Sequence, residues 1–210
     1  MAAASVDGEF ASSATHGVGL LGAIAATPFL IVNAAKAGGA PDIVGAAIFS
    51  ASLILLYLTS TLYHAARRVP TRQLLRRLDH AAIYVLIAGT YTPFTLGVLR
   101  GGWGWALFGV IWGAAALGVA TKVTWGVRRP RLSTALYVAM GWLVLVALPP
   151  LVTRVPLNGV LWLVLGGLAY SGGVFFYLRS TRYAHAIWHL FVMAGSACHV
   201  VAVLGYAASR

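Results

Sequence analysis

Residues 43–66 read IVGAAIFSASLILLYLTSTLYHAA, and Arg67 and Arg68 follow directly. The stretch has no Asp, Glu, Lys or Arg, yet its last turn carries His64. A hydrocarbon core about 30 Å thick needs about 20 apolar residues in a helix, so this run is long enough to cross a bilayer. Further runs of similar length lie at about residues 17–35, 81–99, 103–124, 133–152, 157–178 and 186–207. Short connections join them, often with Gly or Pro. Backbone polar groups in lipid must be satisfied inside the segment, so such runs form helices. The pattern predicts an all-α, seven-transmembrane-helix bundle. Residues 1–210 form one integral membrane domain, with residues 1–15 as an amino-terminal tail.

Composition points the same way. The chain is 60% hydrophobic and 9% charged, with mean hydropathy +0.85. A soluble domain carries about 25% charged residues. The net charge of +11 raises nucleic acid as a partner, but the basic residues sit in short clusters between apolar runs. They form no basic groove interleaved with aromatics, so no nucleic-acid partner is expected. Cys198 is the only cysteine, which excludes an intrachain disulfide and argues against a thiolate metal site. The first fifteen residues hold Asp7 and Glu9 but no Lys or Arg. They lack the positive start of a signal peptide, so the first apolar run is expected to stay in the fold.

The cations set an expected orientation. Arg67, Arg68, Arg72, Arg76, Arg77, Arg128, Arg129, Arg131, Arg179 and Arg182 share one side of the bundle, joined by Lys122 if it snorkels. Only Lys36, Arg100, Arg154 and Arg210 fall on the other. Positive residues stay in the cytoplasm, which puts the amino terminus inside and the carboxyl terminus outside a plasma (inner) membrane. Trp103, Trp105 and Trp125 lie at run edges, where indole favours the interface. Gly166, Gly167, Gly172 and Gly173 suit close helix approach. Pro28 and Pro93, inside runs, should kink them or free a carbonyl.

Ionisable groups in a membrane helix are costly and each needs a reason. His64 and Ser60 lie one turn apart at the end of the second run, on one face. Asp79 and His80 open the third. His185 and His189, at i and i+4, start the seventh with about 6 Å of axial rise between them. Given the topology, His64, Asp79, His185 and His189 fall in one layer near the cytoplasmic face. Three imidazoles leave zinc an open position for water, as catalytic sites do. Asp79 would orient or deprotonate that water, and Ser60 would bond the water or a substrate carbonyl.

Blander roles compete for each residue. Asp79 also fits an N-cap or a partner for Arg76, and a helix serine such as Ser60 often bonds its own backbone. His80 is read as structural. His199 lies some 15 Å further along its helix than His189 and suits packing or an inner polar cavity. His16 starts the first run. The arginine clusters also serve as contacts to anionic lipid.

At these residues the chain resembles the hemolysin III family, the bacterial branch of the progestin and adipoQ receptor superfamily that includes the adiponectin receptors. The matching pieces are Ser60-Thr-Leu-Tyr63-His64, Leu78-Asp79-His80, Gly89-Thr90-Tyr91-Thr92-Pro93, and His185-Ala-Ile-Trp-His189 with His199 after it. Glu9 and Thr15-His16 resemble the family's amino-terminal motif, with Ser12 where that motif has Asn. The departure is expected to bear on a cytoplasmic entry segment, not on the metal. The resemblance implies seven helices, the amino terminus inside, and a cytoplasm-side Zn2+ site held by His64, His185 and His189, with Asp79 and Ser60 around the water.

Three functions fit. The first is a zinc-dependent, ceramidase-like hydrolase that cleaves an amide or ester bond of a membrane lipid and admits its acyl chain from the bilayer. The second is a receptor-like or regulatory membrane protein in which zinc is structural and lipid is a ligand. The third, a pore-forming cytolysin, follows from the family name. It is disfavoured because secreted pore formers are soluble first and this chain is apolar throughout.

Overall fold

The structure is a computed structural model that describes residues 6–208. Arg210, used in the orientation, lies outside the described residues. The helices are α1 (Val6–Ala37), α2 (Ala40–Ala65), α3 (Val69–Leu96), α4 (Gly102–Trp125), α5 (Pro130–Gly141), α6 (Leu148–Arg154), α7 (Leu157–Tyr177) and α8 (Ala184–Tyr206). A short 3-10 turn, Leu143–Ala147, links α5 to α6, and there is no strand among the described residues. Six segments are long and apolar enough to cross a membrane: α1, α2, α4, the Pro130–Arg154 segment, α7 and α8. Helix α1 packs on α2 and α8, α2 on α3, α3 on α4, and α7 on α8. The chain is an all-helical, multi-pass membrane protein.

Helix α3 is the seventh long segment and the least apolar. It is also heavily enclosed: Tyr84, Leu86, Ala88, Gly89, Thr92, Phe94 and Thr95 are all buried. A helix that faces protein rather than lipid tolerates hydroxyls, provided each finds a partner. Thr90 and Thr92 donate to the carbonyls of Leu86 and Ala88, each at 2.8 Å, and the Trp112 indole donates to Thr92 at 3.1 Å.

Three boundaries differ from expectation. Helix α3 starts at Val69, inside the connection expected between the runs at 43–66 and 81–99. Hydropathy falls there, but Leu, Arg and Gln are good helix formers, and Pro70 suits a first turn. Helix α1 starts at Val6, so the tail expected at residues 1–15 is helical from that point. Its polar turns are tied down: Asp7 pairs with Arg182, and Glu9 with Arg72. The fifth run is broken. Pro149 and Pro150 carry no N–H, so the carbonyls one turn before them lose their helical donors. The Tyr91 hydroxyl serves the backbone at this break, accepting from Val144 N–H at 2.9 Å and facing the Met140 and Gly141 carbonyls at 2.8 and 2.9 Å.

Lys122 does not snorkel. It is buried, with its ammonium donating to Ser133 on α5. Two of the expected small-residue contacts are present: a Cβ at Gly166 would strike the His199 ring, and one at Gly173 would lie 2.8 Å from Phe191 Cβ. Gly167 and Gly172 have only ordinary contacts. Helices α2 and α3 approach closely at Gly45, where a Cβ would come within 2.8 Å of Pro93 Cα, and at Gly89, where one would lie 2.7 Å from Ser52 Cβ. Pro28 and Pro93 both sit inside continuous helices.

Candidate metal centre

His64 ends α2, and His185 and His189 occupy the first turns of α8. The packing brings the three rings together, with centroids 4.9 Å apart for His64–His185, 5.1 Å for His64–His189 and 4.7 Å for His185–His189. One ring nitrogen from each lies within 4.8 Å of the others. The three Nε2 atoms are buried and have no hydrogen-bond partner. Buried ring nitrogens without a partner are costly in a low-dielectric interior unless something binds them.

The other ring nitrogens indicate which atoms are free. His189 Nδ1 lies 3.0 Å from the Ser12 carbonyl and 3.2 Å from Thr15 Oγ1. A carbonyl only accepts, so Nδ1 carries the proton and Nε2 keeps its lone pair. His64 Nδ1 lies 2.8 Å from Glu9 Oε2, which gives the same tautomer. Metal-binding histidines normally anchor their second nitrogen in this way. The donor set therefore fits a zinc ion.

Asp79 is in the interior of α3 and only 5% exposed. The N-cap role considered for it is excluded, because the helix begins at Val69. Its carboxylate has His64, Ser60 and Arg76, the pairing considered for it, as electrostatic neighbours and approaches His80 Nδ1 at 3.5 Å. His80 Nδ1 also faces the Arg76 carbonyl at 2.9 Å, in keeping with a structural role. Ser60 is buried, and its hydroxyl makes no hydrogen bond of normal geometry, not even to its own helix backbone. An apolar cavity of about 190 Å³ runs through the bundle past Tyr91, Trp142 and Tyr170, and reaches Asp79 and His16. None of the three clustered histidines lines it.

Sequence comparison joins these features to known proteins. The Haemolysin-III related family matches residues 5–200. The chain belongs to that family. It is similar to the hemolysin-3 homolog of Bacillus subtilis (strain 168), 46% identical over 94% of this chain and 93% of the relative. Hemolysin-3 of Bacillus cereus is 44% identical over 94% and 91% of the two chains. The human monocyte to macrophage differentiation factor is 30% identical over 76% of this chain and 68% of its own, which ties this haemolysin III protein to the progestin and adipoQ receptor superfamily.

Within this haemolysin III chain, the α1 side chains of Glu9, Thr15 and His16 reach the cluster, none of them assigned to it from sequence. Glu9 contacts His64, and the His16 ring stacks on His189 at 3.5 Å. Both belong to the amino-terminal motif, which was the signal available for them. Ser12, the departure from that motif, meets His189 through its backbone carbonyl. The contact is made by backbone, so Ser in place of Asn leaves it intact. His199 lies against Gly166, bonds the Leu163 carbonyl at 3.3 Å and lines the cavity, as expected of a packing or inner polar residue.

Proposed function

We propose that this protein is a zinc-dependent hydrolase acting on an amide or ester bond of a membrane lipid. The observation that carries the proposal is the trio of buried, unpartnered Nε2 atoms on His64, His185 and His189. An apolar cavity reaching Asp79 supports a lipid substrate. The loop charges support a site on the cytoplasmic side of the plasma (inner) membrane.

His64, His185 and His189 would hold the ion. When bound, zinc supplies Lewis acidity that polarises a carbonyl and makes water a better nucleophile. The chain's own residues perform the remaining work. Asp79 accepts a proton from water as its oxygen adds to the carbonyl carbon. It then returns that proton to the nitrogen or oxygen that leaves as the bond breaks. Ser60, buried beside Asp79, donates to the carbonyl oxygen. The cavity walls accept the acyl chain and keep bulk water from the reacting bond.

A second reading is a receptor-like regulator with structural zinc. It is supported by the position of the cluster, which ties the end of α2 to the start of α8. Asp79→Ala separates the two. Under hydrolysis it keeps zinc and fold and abolishes lipid turnover; under a structural role it leaves function intact while His64→Ala unfolds the protein. A third reading, membrane lysis, comes from the name hemolysin-3 borne by the Bacillus cereus relative, and dye release from lipid vesicles tests it.

A further inference from the structure

Helix α1 supplies none of the three clustered histidines, yet its first turns reach two of them. Glu9 Oε2 lies 2.8 Å from His64 Nδ1, and the Ser12 carbonyl lies 3.0 Å from His189 Nδ1. The other carboxylate oxygen of Glu9 accepts from Arg72 at the start of α3. The carboxylate is thus gripped from two sides and has little freedom to rotate. The Glu9 side chain is only 16% exposed and that of His64 only 4%, so solvent screens their contact less than it would a surface pair.

We propose that Glu9 is a positioning residue of the metal centre. Its carboxylate holds His64 in the Nδ1–H form and turns the ring so that Nε2 points at the ion. Arg72 in turn holds the carboxylate. The inference rests on the zinc site proposed above. A carboxylate behind a histidine ligand fixes ring orientation and raises the basicity of the donor nitrogen, and its loss weakens metal binding about 10–100-fold. His189 is held by a neutral carbonyl and the Thr15 hydroxyl instead, so of these two ligands only His64 is anchored by a charge.

The test uses the full chain purified in detergent and a zinc titration against a competing chelator. Glu9→Gln can still accept from His64 but lacks the charge, and Glu9→Ala has no acceptor. Zinc affinity should fall from wild type to E9Q to E9A, by about 10–100-fold at the end of the series. The cobalt(II)-loaded variants should show an altered visible spectrum, and the metal-free proteins should melt near the wild type. A merely structural Glu9 would lower the melting point of the metal-free protein without moving the cobalt bands, which overturns the proposal. If E9A does not fold, Arg72→Met carries the test: it should weaken zinc less than E9Q, and unchanged affinity in both would also overturn it. A wild type that binds no zinc sinks the site and this inference together. A wild type that binds zinc beside an E9Q protein of equal affinity sinks this inference alone.

Discussion

The His16 ring lies parallel to that of His189, with centroids 3.5 Å apart and planes at 9°. It also meets the Tyr57 ring, nearly perpendicular to it at 5.0 Å, and both of its nitrogens are buried without a partner. His16 therefore backs a proposed ligand by packing rather than by hydrogen bonding. His16→Ala should keep the bound zinc and destabilise the protein by about 1–3 kcal/mol through lost packing. Thermal unfolding and metal analysis on one preparation check this. Complete loss of zinc would place His16 among the ligands.

Asp79 is expected to matter for turnover and not for the fold. Asp79→Asn preserves shape and removes the proton acceptor, so lipid hydrolysis should fall by about 10²–10⁴-fold while zinc content holds. Product release from a labelled lipid, measured beside zinc content, decides it. Turnover within a few-fold of wild type would remove Asp79 from the reaction.

Tyr91 makes a prediction independent of the metal. Its hydroxyl accepts from Val144 N–H at the break between α5 and α6. Tyr91→Phe leaves that donor unsatisfied away from water, which costs about 1–3 kcal/mol. The melting point should fall with zinc affinity unchanged. An unaltered melting point would mean the break is satisfied in another way.

Membrane orientation is open to reporter fusions. A periplasmic reporter joined after Gly101, between α3 and α4, should be active. One joined after Arg68, between α2 and α3, should be silent. The reverse pattern would move the histidine cluster to the outer face.

Much of this fold could be read from sequence because lipid imposes one demand, about 20 apolar residues per crossing, that runs such as 43–66 display openly. The i, i+4 spacing of His185 and His189 likewise announces a shared face. Other features depend on partners far along the chain. The start of α3 at Val69 was hidden because charged, helix-forming residues look like a loop when only hydropathy is followed. The break after Trp142 needed Tyr91 to satisfy it, and no local pattern shows that pairing. Glu9 and His16 meet the cluster only because α1 continues to Val6 and packs against α2 and α8.

Metal analysis of the purified wild type, beside His185→Ala and His189→Ala, decides whether the histidine trio holds an ion. The clustered histidines, each with a buried, unpartnered Nε2, predict about one zinc per chain in the wild type and its loss in both variants, with the variants still folded. A folded wild type, prepared without chelator, that carries no metal and takes up none when zinc is added would contradict the account.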